Sequence, residues 1–277
     1  MTLPAWDAHL DVWLVLGSVA LAFVIANRRH ARRTGQGTPP RQQRLFLGGM
    51  AVLFVASLWP MHDLSEGYLY SAHMVQHLLF SLVAAPLLVA GLPAWLLRDL
   101  LRPAWAFRAF RFVTRPLVAI LLFNGVLLFT HWPAVVEASV TGGAPVHLSL
   151  HVLVVGSAMV MWWPIVSPLP ELPPIGPPVQ MLYLFVQSLA PTIPASFLTF
   201  GSEPLYDVYA TFPRIWGVSA INDQLIAGLI MKLAGGLLLW GVIAAVFFRW
   251  ARREQHDGWD ALRWQGVERE LRAEARR

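Results

Sequence analysis

A chain of 277 residues that is 56% hydrophobic and only 13% charged, with a mean hydropathy of +0.54, is too apolar for a soluble domain of this length. Its formal net charge of +5 comes from Arg residues in short connections and in the tail, so it reports membrane orientation and excludes a nucleic-acid surface. Cysteine is absent, which excludes disulfides, thiolate metal sites and Cys nucleophiles and leaves His, Met, carboxylate or backbone oxygen to hold any metal.

A membrane-crossing helix needs about 20 mostly apolar residues. Seven stretches qualify: 10–27, 45–60, 69–92, 116–136, 147–166, 179–200 and 223–248. The first is followed by Arg28 and Arg29, and Met1 to Asp7 lacks the positive region of a cleavable signal, so it reads as a retained span. Arg28, Arg29, Arg32, Arg33, Arg41 and Arg44 fall between the first two spans. Arg98, Arg102, Arg108, Arg111 and Arg115 fall between the third and fourth, and Arg249, Arg252 and Arg253 follow the seventh. The alternate connections carry Asp63 and Glu66, then Glu137, then Glu203 and Asp207, with Arg214 their one basic residue. By the positive-inside rule the N-terminus is outside and the C-terminus cytoplasmic. The expectation is an all-α polytopic membrane protein with a seven-helix transmembrane domain over 1–250 and a basic, amphipathic cytoplasmic tail over 251–277. In that tail Trp259, Leu262, Val267 and Leu271 form an imperfect apolar stripe suited to an anionic leaflet. Pro164 to Pro178 reads as a stiff, non-helical connector.

This orientation places His9, His62, His73, His77, His131, His147 and His151 at the outer ends of their segments and leaves only His30 and His256 inside. His73 and His77 are four residues apart, as are His147 and His151. On a helix such pairs share one face with Cβ atoms about 5–6 Å apart, so each can present two imidazoles to one ion. His131 ends the segment between them. Polar side chains in a membrane are costly, and a one-sided set of them points to a metal site. Without thiolates the donors suit copper or zinc, and a Met61 or Met74 sulfur would favour Cu(I); Met74 is offset from the His73 face and reads as core.

His62 and Asp63, in the loop before the third span, are candidates for a capture site. Asn124 and His131 share a face, and Gln187, Pro191 and Pro194 mark a polar, kinked part of the sixth span. Asn222 or Asp223 reads as the cap of the seventh helix, and Lys232, well inside that span, is expected to have a structural partner. Haem is a weaker alternative, because ligands one helical turn apart serve at most one haem and leave spare imidazoles. A zinc hydrolase is another; neither His pair encloses a Glu or Asp to act as base.

Ser71-Ala-His-Met-Val-Gln-His-Leu-Leu79 with Ala85-Pro-Leu-Leu-Val-Ala-Gly-Leu-Pro93 resembles the signature of the CtaG-type cytochrome c oxidase assembly factors, a polytopic family. The resemblance continues through His131-Trp-Pro, the helix from His147 to Trp163, Gln187-Ser-Leu-Ala-Pro-Thr-Ile-Pro194, the Pro204-Leu-Tyr region and Asp223-Gln-x-x-Ala-Gly-Leu-Ile-Met231. It implies a multi-pass protein of the bacterial inner membrane, without enzymatic activity, that handles copper for the oxidase subunit housing the binuclear centre. Carried over by position, the metal set is His73, His77, His131, His147 and His151, with Asp223 and Gln224 in the matching motif of the last helix. Homo-oligomerisation stays open. A seven-span zinc hydrolase and a copper transporter are the alternatives.

Overall fold

Proline and glycine punctuate the apolar runs and decide where each helix begins and ends. The computed structural model describes Trp6 and residues 8–274, with side chains as far as Gln255. Helix α1 (Leu10–Thr34) carries Arg32 and Arg33 in its last turn, where they complement the helix dipole, and stops at Gly35 in the left-handed region (φ 70°). Helix α2 (Pro40–Ala56) starts on a proline, whose missing N–H is one the first turn leaves unpaired anyway. It bends by 47° into α3 (Met61–Gly67), so the segment predicted as a loop around His62 and Asp63 is a short helix.

The third span, Tyr70–Gly91, comprises α4 (Tyr70–Leu78), a π-helical turn (Leu79–Ala84) and α5 (Ala85–Gly91). The connection after it is helical as well, with α6 (Ala94–Leu100) and α7 (Ala104–Val113). The predicted fourth span, 116–136, is shorter than expected. Helix α8 (Pro116–Thr130) is 15 residues long, or about 22 Å, and meets α7 at a 75° bend. Pro133 disfavours helical backbone at Trp132 (ψ 131°), and a separate helix, α9 (Pro133–Thr141), starts there.

Helix α10 (Gly143–Val166) includes Pro164 near its end, so the non-helical connector is shorter than predicted. Helices α11 (Pro177–Leu189) and α12 (Thr192–Phe200) form one span broken at Ala190 and Pro191. Helix α13 (Asp207–Thr211) lies in the following connection. Helix α14 (Ala220–Leu229), a second π-helical turn (Ile230–Ala234) and α15 (Gly235–Glu274) complete the chain. The side chains of the predicted tail stripe, Trp259 to Leu271, lie outside those described.

Among the described residues five helices, Leu10–Thr34, Tyr70–Gly91, Gly143–Val166, Pro177–Phe200 and Ala220–Gln255, are long and apolar enough to cross a membrane. The number rises to seven if each bent pair counts as one span. Large apolar side chains such as Leu117, Leu121, Phe197, Phe200 and Leu237 stand exposed along the outside, which is the surface a bilayer covers. Between helices in lipid, close packing replaces the hydrophobic effect as the cohesive force. Helices α2 and α5 show how close: a Cβ built on Gly91 would lie 2.2 Å from the Phe46 backbone nitrogen, and one on Gly49 would meet Leu88. Beside this contact Phe23 stacks on Phe46 at 3.8 Å. A second core, around Met161, Trp162, Tyr183 and Leu184, joins α8, α10, α11 and α15.

Several polar side chains inside the bundle are paired across helices. Asn124 and Gln187 exchange side-chain amide hydrogen bonds at 3.0 and 3.2 Å, linking α8 to α11. Lys232, in the second π turn, donates to the Thr192 hydroxyl, a partner on a neighbouring helix. In the first π turn Ser81 Oγ donates to the carbonyl of His77 (2.6 Å), and Trp162 Nε1 donates to the carbonyl of Ser81 (2.8 Å). Such turns insert one extra residue into the helix, and these two bonds occupy carbonyls that the wider winding leaves available.

Candidate metal centre

Helix α4 opens the site because it starts without a capping side chain of its own. Its first amides are taken by Asp223 from α14: Oδ2 accepts from Tyr70 N (2.6 Å) and Oδ1 from Ser71 N (3.0 Å). Asp223, read from sequence as the cap of its own helix, caps α4; Ser219 caps α14 by accepting from Asn222 N. Both Asp223 oxygens therefore serve backbone amides. Gln224 is similarly committed, accepting from Leu205 N (2.6 Å) and donating to the carbonyls of Leu198 and Glu203.

With α4 held at its start, His73 and His77 follow on one face, their rings 4.2 Å apart. His131 follows α8, and its ring lies 6.3 Å from that of His77. His147 and His151, on α10, have rings 4.1 Å apart, and His151 lies 5.9 Å from His77. The five histidines singled out by spacing and side thus meet in one place. The line extends further: His62 lies 5.6 Å from His147, and His9 lies 4.5 Å from His62. His9 Nε2 is 2.9 Å from Asp63 Oδ2, so Asp63 serves His9.

Three of the central rings present a buried nitrogen without a partner: His73 Nδ1, His131 Nε2 and His151 Nε2. His131 Nδ1 lies 2.7 Å from the Leu127 carbonyl and His147 Nδ1 lies 3.2 Å from the Ser139 carbonyl. A carbonyl only accepts, so each Nδ1 donates; His131 Nε2 is left to offer a lone pair, the arrangement used by metal-binding imidazoles, and His147 Nε2 is turned to the Glu66 carboxylate. Tyr206 donates from its hydroxyl to the His131 carbonyl (2.9 Å), and burial pushes this phenol up to about 12, so it stays protonated. Met74 and Met231, both buried, line a small cavity of about 50 Å³ with His77 and His131.

Sequence reasoning named Glu66 only as an acidic residue of an outer connection. In the structure its Oε1 lies 3.1 Å from His62 Nε2 and 2.5 Å from His147 Nε2. The three ligand atoms lie within 4.8 Å of one another. The i, i+4 spacing of His62 and Glu66 was available as a signal, and the loop assignment concealed it. Beside this group a cavity of about 600 Å³ opens between α1, α2 and α10, polar at His9, Asp11, Ser57, His62, Glu66, Ser139, His147 and His151 and lined by apolar side chains elsewhere.

A sequence model of the cytochrome c oxidase caa3 assembly factor family (Caa3_CtaG) matches residues 21–253. The chain belongs to this family. No match was found among curated proteins or among solved structures. Membership gives the all-helical, membrane-embedded bundle a role in oxidase assembly, and the matched region contains the whole histidine line except His9. In this Caa3_CtaG bundle the histidines converge, His9 and Glu66 contact other histidines, Asp63 contacts His9, and Asp223 is spent on backbone amides.

Proposed function

We propose that this Caa3_CtaG protein carries copper to the oxidase subunit that houses the binuclear centre, holding it as Cu(I) on His73, His77, His131, His147 and His151. The observation that supports this most is the convergence of five imidazoles from three segments, three of them with a buried, unpartnered nitrogen. Buried polar atoms without partners are costly. A metal bound by them removes that cost.

The cargo chemistry follows from the donors. Imidazole with thioether in reach and no thiolate binds Cu(I) more weakly than a dithiolate does, which suits a protein that must release its metal. On this reading the chain crosses the plasma membrane seven times, N-terminus outside and C-terminus cytoplasmic, a topology that the Arg-rich connections support, and transfer occurs at the outer face. The protein acts as a metal carrier without a catalytic step of its own.

The test is metal analysis of the purified protein beside the variant His73→Ala/His77→Ala, with a visible spectrum of both. Copper in the parent that disappears from a folded variant, with no Soret band, is the expected result. Stoichiometric zinc, or a haem spectrum, would overturn it in favour of a hydrolase or a cytochrome.

A further inference from the structure

Two donor sets of different character meet at His147. Inward from it lie His151, His77, His73 and His131, all imidazole. Outward lie His62 and Glu66, and this side contains a carboxylate. The contact between Glu66 Oε1 and His147 Nε2 is unusual. The atoms are 2.5 Å apart and shielded from water, and the same carboxylate oxygen lies 3.1 Å from His62 Nε2. With His147 Nδ1 turned to the Ser139 carbonyl, Nε2 and the carboxylate oxygen can meet at this distance only through a shared cation, a proton or a metal ion. A second imidazole on the same oxygen gives a metal ion three ligand atoms within 4.8 Å of one another, where a proton uses two.

We infer that His62, Glu66 and His147 form a second metal site, for a divalent first-row cation, which takes His147 from the inner imidazole cluster when occupied and leaves His73, His77, His131 and His151 to the inner ion. Two imidazoles and one carboxylate suit Cu(II) or Zn(II), with Cu(II) the tighter by the general affinity order, and suit Cu(I) poorly because carboxylate is a hard donor. The supporting shell is in place. His9 packs edge-on against His62 and is held by Asp63 at 2.9 Å, while Gln76 ties α3 to α4 by accepting from Ser65 Oγ (3.1 Å) and donating to the Ala56 carbonyl (2.8 Å). The 600 Å³ cavity reaches the three ligands, with Asp11 also on its wall, and provides a way in for a cation. The site's role, as an acquisition point before the inner cluster, rests on the copper-carrying reading; its existence does not.

The experiment uses the full chain in detergent. Wild type, Glu66→Gln, His62→Gln and His73→Ala/His77→Ala are titrated with Cu(II) in air, read by electron paramagnetic resonance, and with Cu(I) anaerobically against a chromogenic chelator. Thermal melting verifies that each variant is folded. The expected result is a Cu(II) dissociation constant raised about tenfold or more in Glu66→Gln and His62→Gln, with Cu(I) binding retained, and the opposite pattern in the double alanine variant. Unchanged Cu(II) affinity in both outer variants overturns the inference, since the contact then holds no more than a proton. Loss of both metals from every variant overturns it too, because the sets are then a single site. Cu(II) loss in Glu66→Gln together with unchanged Cu(I) binding in His73→Ala/His77→Ala supports the outer site and removes the proposed inner copper cluster.

Discussion

Asp223 and Tyr70 are 153 residues apart in sequence, and the carboxylate of one holds the backbone amide of the other at 2.6 Å. This bond, with its companion to Ser71, sets where the helix bearing His73 and His77 begins. An N-cap contributes about 1 kcal/mol, with 2 kcal/mol near the upper end. Here both carboxylate oxygens are used and Asp223 is fully buried. Asp223→Ala is expected to destabilise the protein by about 2 kcal/mol and to lower copper loading together with the melting temperature. Asp223→Asn, which keeps an acceptor, falls between the two. Loading that survives in a destabilised Asp223→Ala variant would separate the cap from the site.

The contact of α2 with α5 gives a sharper mutational contrast. Gly91→Ala puts a methyl group against the Phe46 backbone, which has no flexible end to move aside. The expected cost is about 3 kcal/mol or more, seen as loss of monodisperse protein on size exclusion. Gly48→Ala, one position from Gly49 and facing open space, is expected to leave the elution profile unchanged.

Asn124 and Gln187 are a reciprocal pair, so a double-mutant cycle isolates their coupling. Asn124→Leu or Gln187→Leu alone leaves a polar amide facing an apolar one; the double variant leaves neither. The coupling energy in a thermal or denaturant assay is expected at about 0.6–1.7 kcal/mol, the range for side-chain hydrogen bonds between membrane helices. Simple additivity of the single variants would count against the pair.

At the inner end, Arg98 Nε donates to Glu171 Oε1 at 2.7 Å and holds this carboxyl below its ordinary value of 4.5. A lowered folded-state value means stabilisation that is present above 4.5 and lost as pH falls through the lower, folded-state value. The pair is exposed and screened by salt, so Glu171→Gln is expected to change the melting temperature only slightly at neutral pH and low salt. That difference should vanish in acid. A difference that grows in acid would contradict the assignment.

The legible parts of this chain were those in which chemistry recurs at helical spacing. His73 with His77, and His147 with His151, reveal their shared faces by being four residues apart, and the alternation of Arg-rich and Arg-poor connections puts His131 with them. The span Tyr70–Gly91, which lies between Gly67 and Pro93, falls within a residue of the predicted 69–92. Where the partner comes from elsewhere in the chain, local pattern misleads. Asp223 follows Ser219 near the start of α14 and resembles a local cap, but it serves α4, and only tertiary packing decides between the two. Glu66 joins His62 and His147 because the chain turns by 47° into α3, a bend without a periodic signature. Span 116–136 read as continuous because hydropathy does not register the break at Trp132 that Pro133 imposes.

The π-helical turn at Leu79–Ala84 divides the third span into two segments whose rotational phases are set separately. Above it, the phase aims His73 and His77 at the other histidines; below it, the phase seats Gly91 against Phe46. In a uniform α-helix one angular setting would have to satisfy both, and improving either would disturb the other by about 100° for each residue gained or lost. Winding one extra residue into the turn frees the two halves from this shared constraint. Changes that reshape the lower packing can then accumulate without turning the imidazoles away from one another, so long as the Ser81 hydroxyl and the Trp162 indole keep the turn wound.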